Sequence, residues 1–174
     1  APSSATVDLT VERPVDEWAP VAPSAPPVES VLFVDGVQRI DAWVWVTDDG
    51  GTSRQGVCAT WGAGVVRCDG RARCVAAEVR RGVLCPGDAV EAIVTRHGTY
   101  HPHPGPDTEG DPIGQAVGRA RGDLEGRVAV EARAAGGRHA DLLVVDGPLG
   151  DRRHIGGAVR YVKSHTHSYL PPDQ

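Results

Sequence analysis

Two short apolar runs, each closed by Asp-Gly, constrain this chain more than any other feature. Ser30–Gly36 reads SVLFVDG and Ala140–Gly147 reads ADLLVVDG. Four consecutive apolar residues, mostly β-branched or aromatic and bounded by a turn signal, suit a strand buried on both faces. Two such strands about a hundred residues apart belong in the middle of one sheet, with a covering layer between them in the chain.

The intervening sequence supplies the rest of the sheet and that layer. Arg39–Thr47 alternates in part, Asp48-Asp49-Gly50-Gly51 is a turn signal, and Gln55–Trp61 follows, which together read as a hairpin. Gly62–Gly64 and Asp69-Gly70 punctuate two further β-like runs, Val65–Cys68 and Arg73–Val79. Ala92–Thr95 is a short run before a loop rich in Pro, His and Gly from Gly98 to Asp111. The hydrophobic period then changes. From Pro112 to Ala135 the spacing predicts a helix, with Asp111 as N-cap and Pro112 at the first helical position. At 100° per residue, Ile113, Val117, Leu124, Val128 and Ala135 form one stripe, and Glu131 falls within it. Gly136-Gly137 stops the helix, and Gly157–Lys163 reads as a last strand.

The order is therefore a buried strand, an antiparallel meander, a helix and a second buried strand, an α/β arrangement around a mixed sheet. Residues 1–28 stand apart from it. Six of the 14 prolines lie in the first 30 residues. Proline cannot donate to a β-ladder, so this stretch reads as an extended arm, and the domain spans 29–174.

A chain of 174 residues with 40% hydrophobic residues can bury a core of its own. No run approaches the roughly 18 apolar residues of a membrane span, and the start shows no secretion signal. Cys58, Cys68, Cys74 and Cys85 show no CxxC spacing, so reduced thiols and a cytoplasmic location are expected. The net charge of −5 argues against coating nucleic acid by bulk electrostatics. It leaves room for an enzyme whose acidic centre holds cations while a local basic face holds phosphates. Lys163 is the only lysine among 18 basic residues.

If the two apolar strands lie side by side, Asp35 and Asp146 emerge at neighbouring points of the sheet, and Glu131 approaches from the packed helix. Glu125, about 120° away on the helix, is the fallback. Three crowded carboxylates raise one another's pKa unless cations neutralise them. An oxygen-only set favours Mg²⁺ or Mn²⁺, and two such ions roughly 3.5–4 Å apart serve phosphodiester hydrolysis. Taken singly, an Asp-Gly after a strand is more often only a turn.

VLFVDGVQRIDAWVWV, DLLVVDGPL and GGAVRYVKSHTHSYLPP together resemble the NurA nuclease family, over roughly residues 29–172. The resemblance implies an RNase H-like fold and a metal-dependent DNA nuclease, usually with Mn²⁺. Family members cut single strands internally and degrade DNA 5′ to 3′ from ends. They commonly act as homodimers with the hexameric HerA translocase. The resemblance further implies that Asp35, Glu131 and Asp146 are metal ligands and that Lys163 and Tyr169 lie near the scissile phosphate. Family members are longer, with a later His or acidic residue completing the centre; here either His165 or His167 stands in, or the site is incomplete. His165 has a second expected role, protonating the leaving group or steadying a phosphate. A catalytically weak or inactive module of the same fold, engaging a translocase or a second copy through its arm and aromatics, is the alternative.

Other features carry weaker expectations. Arg67, Arg71, Arg73, Arg80 and Arg81 read as a solvated arginine face more readily than as a DNA clamp. Trp43 and Trp45, two apart, project from one face of a strand, where core packing or a dimer contact is expected over base stacking. His101/His103 and His165/His167 are HxH pairs without a third ligand at fixed spacing.

Overall fold

The computed structural model describes residues 10, 14–17, 19–20, 22–24, 27–87, 90–106, 112–135, 142–146 and 156–161. Among the described residues, seven strands form one mixed sheet, and a single long helix covers one of its faces. In chain order the strands are β1 (Val31–Thr47), β2 (Ser53–Cys68), β3 (Ala72–Cys85), β4 (Ile93–Thr95), β5 (Gly98–Pro104), β6 (Leu142–Asp146) and β7 (Ala158–Tyr161). The helix, α1 (Ile113–Ala135), lies between β5 and β6 in the chain. Across the sheet the order is β4-β5-β3-β2-β1-β6-β7. β1, β2 and β3 form an antiparallel meander, β6 runs parallel to β1, and β7 runs parallel to β6. The long α1 connection makes the β6–β1 pairing possible, because parallel neighbours cannot be joined by a tight turn. No helix among the described residues is long and apolar enough to cross a membrane.

The meander is simpler than its punctuation suggests. Asp35-Gly36 is no turn: β1 runs straight through it for 17 residues. Gly62 and Gly64 likewise lie inside β2. A Cβ at Gly62 would come within 3.3 Å of the Glu78 carbonyl oxygen, so these glycines mark close strand approach rather than a chain reversal. The segment Gly98–Pro104, read as loop, pairs with β3 in parallel and with β4 in antiparallel fashion. The Asp111 N-cap lies outside the described residues.

One face of the sheet is closed by α1. Leu32 and Val34 of β1, Val57, Ala59, Trp61, Ala63 and Val65 of β2, and Leu143 and Val145 of β6 pack on the helix residues Val117, Leu124 and Val128. The alternate residues form an open face, where Phe33, Val37, Val79 and Val159 are exposed.

A β-bulge interrupts β1. Ile40 pairs with Ala59 and Ala42 with Cys58, leaving Asp41 as the extra residue. Because strand side chains alternate, one inserted residue moves every later side chain to the other face. Before the bulge, Leu32, Val34, Gly36 and Gln38 oppose the helix-side row of β2. After it, Trp43 opposes Val57 and Trp45 opposes Gln55 of that same row. The bulge thus turns the tryptophan pair to the α1 side of the sheet.

The bulge is held chemically. Asp41 accepts hydrogen bonds from Thr60 Oγ1, from Arg39 Nε at 2.6 Å and from the Tyr100 hydroxyl at 3.1 Å. Burial alone would raise its carboxyl pKa, but these donors and the Arg39 charge outweigh burial and hold it below the ordinary carboxylate value. Burial raises the Tyr100 phenol, and its bond to Asp41 raises it further. A folded-state carboxylate pKa below the unfolded one stabilises the fold above the unfolded value, near pH 4. That stability is lost as pH falls through the lower, folded value. Asp41→Asn is expected to cost about 2–3 kcal/mol at pH 7, because several hydrogen bonds converge on one little-exposed carboxylate. Urea denaturation from pH 7 to pH 2 should show the gap between parent and variant closing below about pH 4.

Candidate functional site

β6 ends at Asp146, while β1 continues. The two strands pair in parallel from Val31↔Leu142 to Val34↔Val145, so Asp35 and Asp146 stand one step beyond the last pair, on adjacent strands. Parallel neighbours lie about 4.8 Å apart, which places two carboxylate-bearing positions at one point of the sheet. Both follow residues buried against α1, namely Val34 and Val145, so both belong to the opposite, open face. The Asp35 carboxylate is exposed, and its Oδ1 accepts the Gly36 amide at 2.9 Å. Asp146 is half-buried and pairs in the ladder with Tyr161 of β7.

The helix contributes a carboxylate at this point, but a different one from the stripe prediction. Glu131 is exposed on α1, which corrects the expectation that it faces inward. The buried acid is Glu125, 6% exposed. The cause is a drift of the contact face. In the first turns the buried residues are Ala116, Val117 and Ala120; in the last turns they are Val128, Ala129 and Ala132. At 100° per residue the centre of the buried arc moves by roughly 100° along the helix, as a straight rod must when it lies across a twisted sheet. A fixed stripe misses that rotation. By the middle of the helix Glu125 has entered the contact arc, and by the last turns Glu131 has left it.

Glu125 packs on Gly36. A Cβ there would fall 2.9 Å from Glu125 Cγ, closer still to Oε1, and 3.0 Å from Arg121 Cγ. The second residue of the first Asp-Gly is therefore glycine because the helix carboxylate occupies the space of a side chain. Arg121 steadies the arrangement: its Nε lies 3.4 Å from Glu125 Oε1, and its Nη1 donates to the Gly36 carbonyl at 3.3 Å. A buried carboxylate requires such a counter-charge. Asp35 and Asp146 thus meet from the open face and Glu125 from the helix face, around the place where β6 stops. Among the described residues no group of three His, Cys, Asp or Glu side chains forms a ready-made metal cluster.

Lys163, His165, His167 and Tyr169 lie outside the described residues. His101 and His103 are on β5, where the His103 ring meets the Trp61 ring edge-on at 5.0 Å between centroids. The arginines divide: Arg73 pairs with Asp69, while Arg80 and Arg127 both pair with Glu78. Arg80 and Arg81, adjacent on β3, cannot share a face. The four cysteines form no disulfide, and burial raises the thiol pKa of Cys58 and Cys85. Trp43 and Trp45 are 57% and 69% exposed, which overturns core packing for both.

No family model matches the chain, and no curated protein matches it either.

Proposed function

We propose that this chain is a divalent-metal-dependent DNA nuclease of the NurA type, with an RNase H-like fold. The observation that carries the reading is the juxtaposition of Asp35 and Asp146 on adjacent parallel strands, with Glu125 packed against Gly36 beside them. The mixed sheet, an antiparallel meander with a parallel strand added beside its first member and a helix between, is the arrangement this fold requires.

The donor set is all oxygen and anionic, which fits Mg²⁺ or Mn²⁺ and disfavours softer ions. Asp35 and Asp146, on the open face, would hold the metal, which when bound would supply Lewis-acid activation of a water and of the phosphate. Glu125 lies on the α1 face and backs the Asp35-Gly36 strand rather than sharing the ion. The chain's own residues do the rest. Gly36 leaves room for the helix carboxylate. Its amide, donated to Asp35 Oδ1, fixes the orientation of that carboxyl. Arg121 holds Glu125 against the strand. Lys163 and Tyr169 are assigned to the scissile phosphate by the family resemblance alone, and His165 is assigned by this reading to protonate the leaving group or steady a phosphate. Single-stranded DNA or DNA ends, a HerA-type translocase and a second copy of the chain are the partners this reading brings, with the cytoplasm as its place of action.

Labelled single-stranded DNA incubated with Mn²⁺ tests the reading. The parent should degrade it, and chelation, Asp35→Asn or Asp146→Asn should each stop it. Degradation that survives both substitutions rules the site out. A well-folded parent that never cuts, even with its translocase, leaves the second reading, an interaction module; the exposed Trp43–Trp45 pair favours that one.

A further inference from the structure

The bulge at Asp41 leaves a second feature on the α1 side, remote from the carboxylates. Beyond the start of α1, Trp43 and Trp45 stand side by side and exposed. With Gln55, Pro86, Pro106 and Ile113 they line a cleft of about 410 Å³. Arg54 forms part of its wall, paired with Asp48 at 3.2 Å. We infer that this cleft binds a polyproline-type segment, and that its occupant is the proline-rich arm of a second copy of this chain.

Three observations select that occupant. The first is the chemistry of the lining. Residues two apart on a strand are about 7 Å apart, so the indoles form adjacent walls, with prolines opposite. Aromatic slots of this kind accept the ridges of a polyproline helix, whose backbone makes no internal hydrogen bonds and offers its carbonyls to outside donors. Indole N–H groups, the Gln55 amide and the Arg54 guanidinium are such donors.

The second is the arm itself. Pro20, Pro23, Pro26 and Pro27 fall within eight residues, and the first 30 residues carry five acids (Asp8, Glu12, Asp16, Glu17, Glu29) against one base, Arg13. The proline stretch itself, residues 19–28, is uncharged, which suits a cleft whose one charged lining residue among those described, Arg54, is already paired with Asp48. Single-stranded nucleic acid would meet one arginine, already paired, and the Asp48 carboxylate beside it. Pro20, Pro23 and Pro27 are exposed, so they remain available.

The third is reach. The arm joins the sheet at Val31, and Trp43 lies twelve residues along β1, roughly 40 Å away at strand rise. Pro27 is four residues before Val31 and Pro23 eight, so even fully extended they reach no more than about 14 and 29 Å. Pro23, Pro26 and Pro27 therefore cannot fill the cleft of their own chain but can fill that of another; Pro20, eleven residues before Val31, comes only to the limit of that distance at about 40 Å. Two arms exchanged in this way would bury both tryptophan pairs.

The test uses the full chain in sedimentation velocity together with a synthetic peptide of residues 19–30, which contains no tryptophan. The parent should show concentration-dependent dimerisation. Trp43→Ala/Trp45→Ala and, separately, Pro20→Ala/Pro23→Ala/Pro27→Ala should each move its midpoint at least tenfold upward, with circular dichroism unchanged. The peptide should produce a saturable change in indole emission, at least tenfold weaker with the tryptophan variant. Association unaffected by either variant overturns the inference. So does an emission change given by oligothymidylate and not by the peptide. Asp35→Asn should dimerise like the parent, so failure of the nuclease reading and failure of this one are separable.

Discussion

Glu125→Gln should lower metal-dependent DNA cleavage by about 10²-fold, whereas Glu131→Gln should leave it within about twofold of the parent. Both residues sit on α1 and both changes remove one negative charge, so any general effect of charge on DNA affinity is matched between them. They differ in place: Glu125 is packed against Gly36 beside Asp35, and Glu131 faces solvent. Losing one preorganised contact beside a catalytic centre costs about 10²–10³-fold in rate, and a residue that backs a ligand strand from the other face belongs at the lower end. Gly36→Ala should act through the same contact. Its methyl group would displace the Glu125 side chain and lower activity while leaving every carboxylate in the chain. Equal loss from the Glu125 and Glu131 variants, measured as initial cleavage rates at saturating Mn²⁺, would remove Glu125 from the site.

That contrast also shows where the sequence is readable. The apolar runs of β6 and the first half of β1 identify themselves as strands, but burial on both faces is not what they show: only the α1 side is fully covered, and Phe33 is exposed on the other. Their Asp residues follow directly, and the parallel register that aligns them depends on little beyond strand length. The helix is legible in extent, Ile113–Ala135 against an expected Pro112–Ala135, but its contact face is not. Which residue faces the sheet depends on how the sheet twists beneath the helix, a property of seven strands together. The bulge at Asp41 is hidden for a similar reason: its stabilising partners, Thr60 and Tyr100, lie 19 and 59 residues away. Without the bulge, Trp43 and Trp45 would fall on the open face with Phe33 and Val37, away from the cleft they line. The strand β5 escapes notice because the alternation of His and Pro in YHPHP resembles a loop. The prolines are tolerated because β4 pairs only with Gly98, Thr99 and Tyr100, which among the described residues leaves Pro102 and Pro104 with a neighbouring strand on one side alone.

The largest loss of stability should come from Trp61→Ala, at about 3–5 kcal/mol. Trp61 is 3% exposed in the middle of β2 and faces α1 near Ala120 and Leu124. It also sits over Gly82 of β3: a Cβ on Gly82 would come within 2.7 Å of Trp61 Cη2 and 3.1 Å of His103 Cβ. The ring therefore fills space that β3 and β5 leave open, and the edge-on His103 contact adds about 0.5–1.5 kcal/mol beyond area. Gly82→Ala in the parent should cost about 1–3 kcal/mol by overpacking. In the Trp61→Ala background the same methyl group would enter the cavity and cost little, so the two substitutions should be non-additive by 1 kcal/mol or more, as contacting sites are. Urea denaturation of the four proteins measures the coupling. Strict additivity would mean that the sheet relaxes around Gly82 independently of Trp61, and that the indole is not what keeps β3 and β5 in register beneath the helix.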